Sequence, residues 1–447
     1  MRNTEVSCTD SALYNNQYSV VYSCSMRSHI MDGARLLALI LISALLMSAF
    51  AQADNKETSE FTNVIEFGGP SSAEAQIEID NQEKTAPFRY QGFTDLLQPY
   101  FNWKDTVSKE HGLNLAGDYN FHYQAANKSQ GEDDAAGGII RLYGRWQPVP
   151  RGSLVFKIEN RHKYTDIAPQ QLSSEIGYAG LTSVVFSDAG TILTNLYWQH
   201  TTQDNRLAFV AGILDVTDYV AVYGLVSPWT NFINLAFSTD PTISVPNQGV
   251  GAAVRVMLFK NMYLLGGFAD ANGDPSDPGG IFDSFLDDRE YFKHLEFGWT
   301  SSYEKRFADN VHITIWHSDE RDAAMVTSGK GVALSYSQMF DDRWLPFARF
   351  GYSNGGGSFL ERSVSIGLGY FPETRSDTLG IGLNWGLPSE ETFGSGLDAQ
   401  YTSEVYYRFQ LFQHVTITPN LQYLKNPALN PAEDSLWIVG LRARLVF

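Results

Sequence analysis

The sequence predicts an all-β protein: a sixteen-stranded antiparallel transmembrane β-barrel preceded by a short N-terminal helix. Three observations carry this. Hydrophobic residues make up 43% of the 447 residues and charged residues only 18%, yet mean hydropathy is -0.21, so apolar groups are dispersed rather than gathered into membrane-spanning helices. Apolar and polar residues alternate with period two in segment after segment, as a strand with one greasy and one wet face requires. The connections between those segments alternate between short and long, a sorting expected of a membrane barrel with tight turns on one side and loops on the other. One large barrel domain accommodates the length.

In chain order, residues 1–53 read as an upstream extension and secretory signal peptide. From Met31 the chain runs MDGARLLALILISALLMSAFAQA, with Arg35, an apolar run from Leu36 to Met47, and Ala51-Gln52-Ala53 as a small-x-small cleavage site before Asp54. The apolar run is about half of the roughly 20 residues a spanning helix needs. Met1, Met26 and Met31 are all candidate starts. The only cysteines, Cys8 and Cys24, precede the leader, which excludes a disulfide framework in the exported part.

Residues 54–91 read as an acidic, mobile tail, because Asp54, Glu57, Glu60, Glu66, Glu74, Glu78, Asp80 and Glu83 face only Lys56 and Lys84 with few large apolar groups between them. Residues 92–111 read as a short amphipathic helix from the spacing of Leu96, Leu97, Tyr100, Phe101 and Trp103. The net charge of -18 argues against a nucleic-acid partner, which needs a basic surface.

The barrel is expected over residues 112–447. In GLNLAGDYNFHYQ, Leu113, Leu115, Tyr119, Phe121 and Tyr123 alternate with Asn114, Asp118, Asn120, His122 and Gln124. The same alternation marks strands near 112–124, 138–147, 152–163, 192–200, 206–216, 247–259, 261–269, 294–304, 310–319, 330–340, 344–353, 361–371, 377–386, 400–412, 415–424 and 435–447. PVPRG, TTQDN, KN, RFADN, DDR, ETRSD and QH are the short connections and would be periplasmic. The longest, 164–191, 217–246 and 270–293, are rich in Asp, Gly, Pro and Ser and would be extracellular. Trp146, Trp198, Trp299, Trp385 and Trp437 recur at strand ends, where an amphipathic ring suits headgroup level. The last strand ends in Phe447 behind Trp437, Val439, Leu441 and Leu445 on one face, as outer-membrane strands commonly do.

Several stretches together resemble the carbohydrate-selective porin family (OprB type): SLVFKIENRHKYTDIAP at 153–169, WHSDERDAA at 316–324, GLGYF with RSDTLGIGLNWG at 367–386, and EVYYRFQL followed by ITPNLQYLKNPALNP at 404–431. The resemblance runs from about Phe93 to Phe447 and rests on this collinear series rather than on any one motif. It implies a sixteen-stranded outer-membrane channel that passes small carbohydrates of the monosaccharide class into the periplasm, without a cofactor.

Parity assigns the lumenal residues independently of that resemblance. If Leu154, Phe156 and Ile158 face lipid, then Lys157, Glu159, Arg161 and Lys163 face the lumen; Ile140, Leu142 and Trp146 likewise turn Arg141 and Arg145 inward. Arg255, Glu296, Arg349, Glu404, Arg408, Arg442 and Arg444 take wet-face positions by the same test. An arginine facing lipid near the midplane would cost about 2–4 kcal/mol. A sugar pathway needs planar donors and acceptors and aromatic faces, for which Trp316 on the wall and Trp229 or Phe232 in the 217–246 loop are candidates. The plainer reading of each charge is a solvated or paired lumenal group. Asp270, Asn272 and Asp274 are spaced as in a calcium loop but lack the downstream glutamate, so no metal site is assigned. No histidine sits in a nucleophile context such as GxSxG, and an enzyme is not expected. Two rivals stay open: a general or anion-preferring porin, and a closed structural or adhesive barrel. A homo-oligomer is open too.

Overall fold

The computed structural model describes residues 67–88 and 91–447. The leader and residues 54–66 lie outside the described residues. Sixteen strands form a closed antiparallel barrel in simple up-and-down order, with β1 sealing against β16. They are β1 (Leu113–Ala126), β2 (Asp134–Val149), β3 (Gly152–Lys163), β4 (Gly190–Thr201), β5 (Leu207–Leu214), β6 (Gly249–Phe259), β7 (Met262–Asp270), β8 (Tyr291–Thr300), β9 (Asn310–Ser318), β10 (Gly329–Ser337), β11 (Trp344–Gly355), β12 (Leu360–Tyr370), β13 (Thr378–Pro388), β14 (Gln400–Phe412), β15 (Val415–Lys425) and β16 (Ser435–Val446). Each falls on one of the sixteen alternating segments read from the sequence. Closure leaves the wall without an open edge strand, which a strand structure needs in hydrocarbon.

The alternation becomes burial. Ile313 and Ile315 are exposed on the lipid face of β9 while His312, Thr314 and Trp316, which alternate with them, are buried inside. The aromatic ends sort into two levels. Trp146, Trp198, Trp299 and Trp344 lie at the short-turn ends of their strands, and Trp385 and Trp437 at the long-loop ends, the latter packed on Tyr423 at 4.5 Å. These are the girdles of a membrane barrel.

Two helices precede the wall. The helix expected at 92–111 runs Gln91–His111 and is called α2 here. Gly112 ends it at φ +65°, where a Cβ would fall 2.8 Å from the carbonyl oxygen of Gln147, so the turn into β1 requires glycine. The second helix departs from the sequence reading. Residues 67–88 of the stretch expected to be a mobile acidic tail are folded, and Ala73–Asn81 forms a helix, α1, inside the barrel. Ser72 caps it by accepting from the Ala75 amide at 3.3 Å. Its acids are tolerated there because the lumen supplies partners for them, so composition alone misread this stretch.

Candidate functional site

The lumen is built by register. Asp118 on β1 lies directly opposite Arg141 on β2, which lies opposite Glu159 on β3; Asn120 on β1 faces Arg444 on β16. Four neighbouring strands thus project a row of charge inward at one level. Asp118 accepts from Arg141 Nε at 2.8 Å and from Arg444 Nε at 2.7 Å, and all three side chains are buried. Lys157 reaches Asp218 at 3.4 Å, and Arg161 donates to Glu159 at 2.8 Å. The guanidinium of Arg141 stacks on the Trp229 ring at 3.7 Å. The cations along this strip are therefore met by carboxylates at the same level.

The long connection between β5 and β6 folds into the barrel and reaches the strip through Asp218 and Trp229. Its Trp229 and Phe232 are buried, and Phe232 packs against Phe237 and Tyr406 at 5.0 and 4.9 Å. The wall holds this loop by its backbone. Glu404 accepts the amides of Ile233 and Asn234 at 3.1 and 2.9 Å, and Glu296 accepts that of Ala221 at 2.9 Å. Arg349 donates to the carbonyls of Ala221, at 3.0 Å, and Thr239; Arg442 donates to those of Asn231, at 2.8 Å, and Pro228. A loop buried in a barrel would otherwise carry unpaired peptide groups. The wall charges satisfy them.

Helix α1 fills the remaining space along β1, β2 and β3. Asp80 accepts from the Tyr143 hydroxyl at 2.5 Å and from Arg444 at 2.9 Å, and Tyr197 donates to Glu74 at 3.0 Å. Ahead of the helix, Arg255 donates to the Phe67 carbonyl at 2.8 Å, the Phe67 ring meets Tyr219 edge-on at 5.2 Å, and the Gly69 amide donates to the Asp218 carbonyl at 2.5 Å.

The residues singled out by parity divide accordingly. Arg141, Lys157, Glu159 and Arg161 gather on the strip with Arg145, which is half-buried lower on β2. Glu296, Arg349 and Glu404 sit against the loop backbone, and Arg255 against Phe67. Lys163 is exposed at the long-loop end, donating to the Asp166 carbonyl at 2.9 Å. Arg408 lies near the short-turn end, donating to Thr378 at 2.8 Å. Trp316 is buried against Phe292, with ring centroids 6.1 Å apart, and offers no open face. Asp80, Glu74, Asp218, Tyr143 and Tyr197 escaped the sequence reading; the wet-face position of Asp118 was visible, its role as shared acceptor was not. In the 270–277 loop, Asp270 and Asp274 accept the amides of Asn272 and Ser276, both at 2.9 Å, as turn-stabilising carboxylates.

A closed barrel with a greasy exterior, aromatic girdles at two levels and a charged lumen narrowed by an inward-folded loop is a porin of an outer membrane. This chain belongs to the carbohydrate-selective porin, OprB family, whose family model matches residues 164–447. It is 24% identical over 220 residues to the Porin AaxA of Chlamydia felis, a match that spans 48% of each chain, about half of that relative's length. It is also similar to the high pH structure of Pseudomonas putida OprB, with a TM-score of 0.63 at 14% identity, covering 78% of this chain and 97% of that one. The last comparison shows the shared fold.

Proposed function

We propose that this porin lets small carbohydrates of the monosaccharide class diffuse passively into the periplasm, exported to its membrane by the leader read at residues 31–53. Arg141, Arg145, Lys157, Glu159 and Arg161 line the route, Lys163 stands at its extracellular mouth, and Glu296, Arg349 and Glu404 shape it by fixing the loop. The observation that carries this reading is charge pairing. Arg141 and Arg444 share Asp118, with Asp80 a second carboxylate on Arg444, Lys157 faces Asp218 and Arg161 faces Glu159, so the strip presents donors and acceptors at close spacing with little uncompensated positive charge. Such a wall replaces the hydration of an uncharged, hydroxyl-rich solute, and the rings of Tyr143 and Tyr197, which α1 covers, are of the kind that suit its C–H faces. An anion-preferring pore would want unpaired cations there. Swelling of liposomes carrying the refolded protein tests this. Monosaccharides should permeate faster than uncharged non-sugars of equal size, and Arg161→Ala or Arg145→Ala should erase most of that ratio. Equal rates set by size alone, or faster permeation of organic anions, would sink the sugar reading.

A further inference from the structure

We infer that residues 67–83 form a tethered plug: it occupies the lumenal strip from the periplasmic side and has to leave its seat before solutes pass. The inference rests on the channel reading above, though not on the channel's preference for sugars.

The first ground is position. Helix α1 lies along β1, β2 and β3, where the paired charges of the strip gather, beside Trp229 and Asp218 of the β5–β6 loop. Phe67, Glu74, Gln76 and Asp80 are each less than a tenth exposed, so the segment fills the space rather than skirting it.

The second ground is how it is held. The β5–β6 loop is bound through its own peptide groups, and withdrawing it would strand buried amides and carbonyls at Glu296, Glu404, Arg349 and Arg442. Helix α1 satisfies its amides internally and through the Ser72 cap and meets the wall mainly through side chains, while the Phe67 carbonyl and Gly69 amide ahead of it are held through the backbone by Arg255 and the Asp218 carbonyl. When Asp80 leaves, Arg444 still has Asp118 at 2.7 Å. Arg444 therefore keeps one carboxylate partner, shared with Arg141, when the seat is empty, and Ala73–Asn81 keeps its helical backbone bonds when free. Its departure strands fewer buried groups than the loop's would, and each buried charge or peptide group left unpaired adds to what holds an element in place.

The third ground is the tether. Residues 82–88 leave the lumen across the short turns that mark the periplasmic rim: the Lys84 amide donates to the Gln413 side chain at 2.9 Å and the Thr85 amide to Ser376 at 3.0 Å. Most of this connection is exposed. The vacated seat would present Arg444, Arg255, Tyr143 and Tyr197, the kinds of groups a hydroxyl-rich solute would engage, so solute and plug compete for one surface.

A reversible lock tests this. A Cβ built on Gly69 falls 3.0 Å from Cβ of Val222 and 2.8 Å from the Asp218 carbonyl oxygen, so a shift of a few tenths of an ångström brings a Gly69→Cys/Val222→Cys pair into disulfide range. The chain beyond the leader has no other cysteine to interfere. In planar bilayers the oxidised pair, with its bond verified by mass, should lose most of the ion conductance and regain it on reduction. Deletion of residues 67–83 should raise conductance several-fold over wild type; should that variant fail to fold, the Glu74→Gln/Asp80→Asn double variant should raise the open fraction in the same direction. Identical conductance in the oxidised and reduced pair, or no rise in the released variants, overturns the plug. Because ions carry the current, a lock effect without sugar preference would leave the plug standing and remove the sugar reading, whereas sugar preference without a lock effect would remove the plug alone.

Discussion

At the scale of single residues, Asp118 is the hinge of the lumen's electrostatics. It is fully buried and serves two guanidiniums from the strands on either side of it, including the seam where β1 meets β16. Replacing it with asparagine leaves Arg141 and Arg444 short of a counter-charge, a loss of about 3–5 kcal/mol for broken buried pairs. The Asp118→Asn barrel should therefore unfold at clearly lower temperature, read from the conversion of the folded to the unfolded band on heated gels. An unchanged transition would mean that the two arginines find solvent there and that the row is wetter than its geometry implies. Sequence parity showed that these side chains face inward, since the pleat alone fixes that. It could not show what they meet, because Asp80 and Arg444 are 364 residues apart in the chain and Glu404 binds amides about as remote as half of that.

At the scale of elements, the β3–β4 and β5–β6 connections and α1 together fill the lumen. The β5–β6 loop is a fixed constriction, since two carboxylates and two arginines hold its peptide groups. Glu404→Ala would strand the amides of Ile233 and Asn234, each costing about 1–3 kcal/mol if left unpaired. The loop should then loosen, raising single-channel conductance and lowering solute discrimination while the sixteen-strand wall persists. Conductance equal to wild type would show that the remaining anchors suffice. The sixteen strands, the long and short connections and the helix at 91–111 were all legible, because each carries a local signal: period two, turn residues, or apolar spacing at helical period. Helix α1 was not. Its nine residues are too few and too weakly amphipathic to announce themselves, and its acidic composition pointed to solvent. Only the basic and phenolic groups gathered from distant strands make a buried site for Glu74 and Asp80.

At the scale of the whole molecule, closure, girdles and the folded-in loop follow from one requirement: every peptide group must be paired, whether it faces lipid or the crowded lumen. What remains for function is a strip of compensated charge and aromatic faces along β1 to β3. The most direct measurement is the ion current through single channels, with and without added monosaccharide. A carbohydrate channel with its solute route along this strip gives a saturable, sugar-dependent reduction of current that size-matched uncharged non-sugars do not produce, together with a reversal potential near neutral selectivity. Current reduced only in proportion to solute size, or a reversal potential set by anions, would contradict the proposed role.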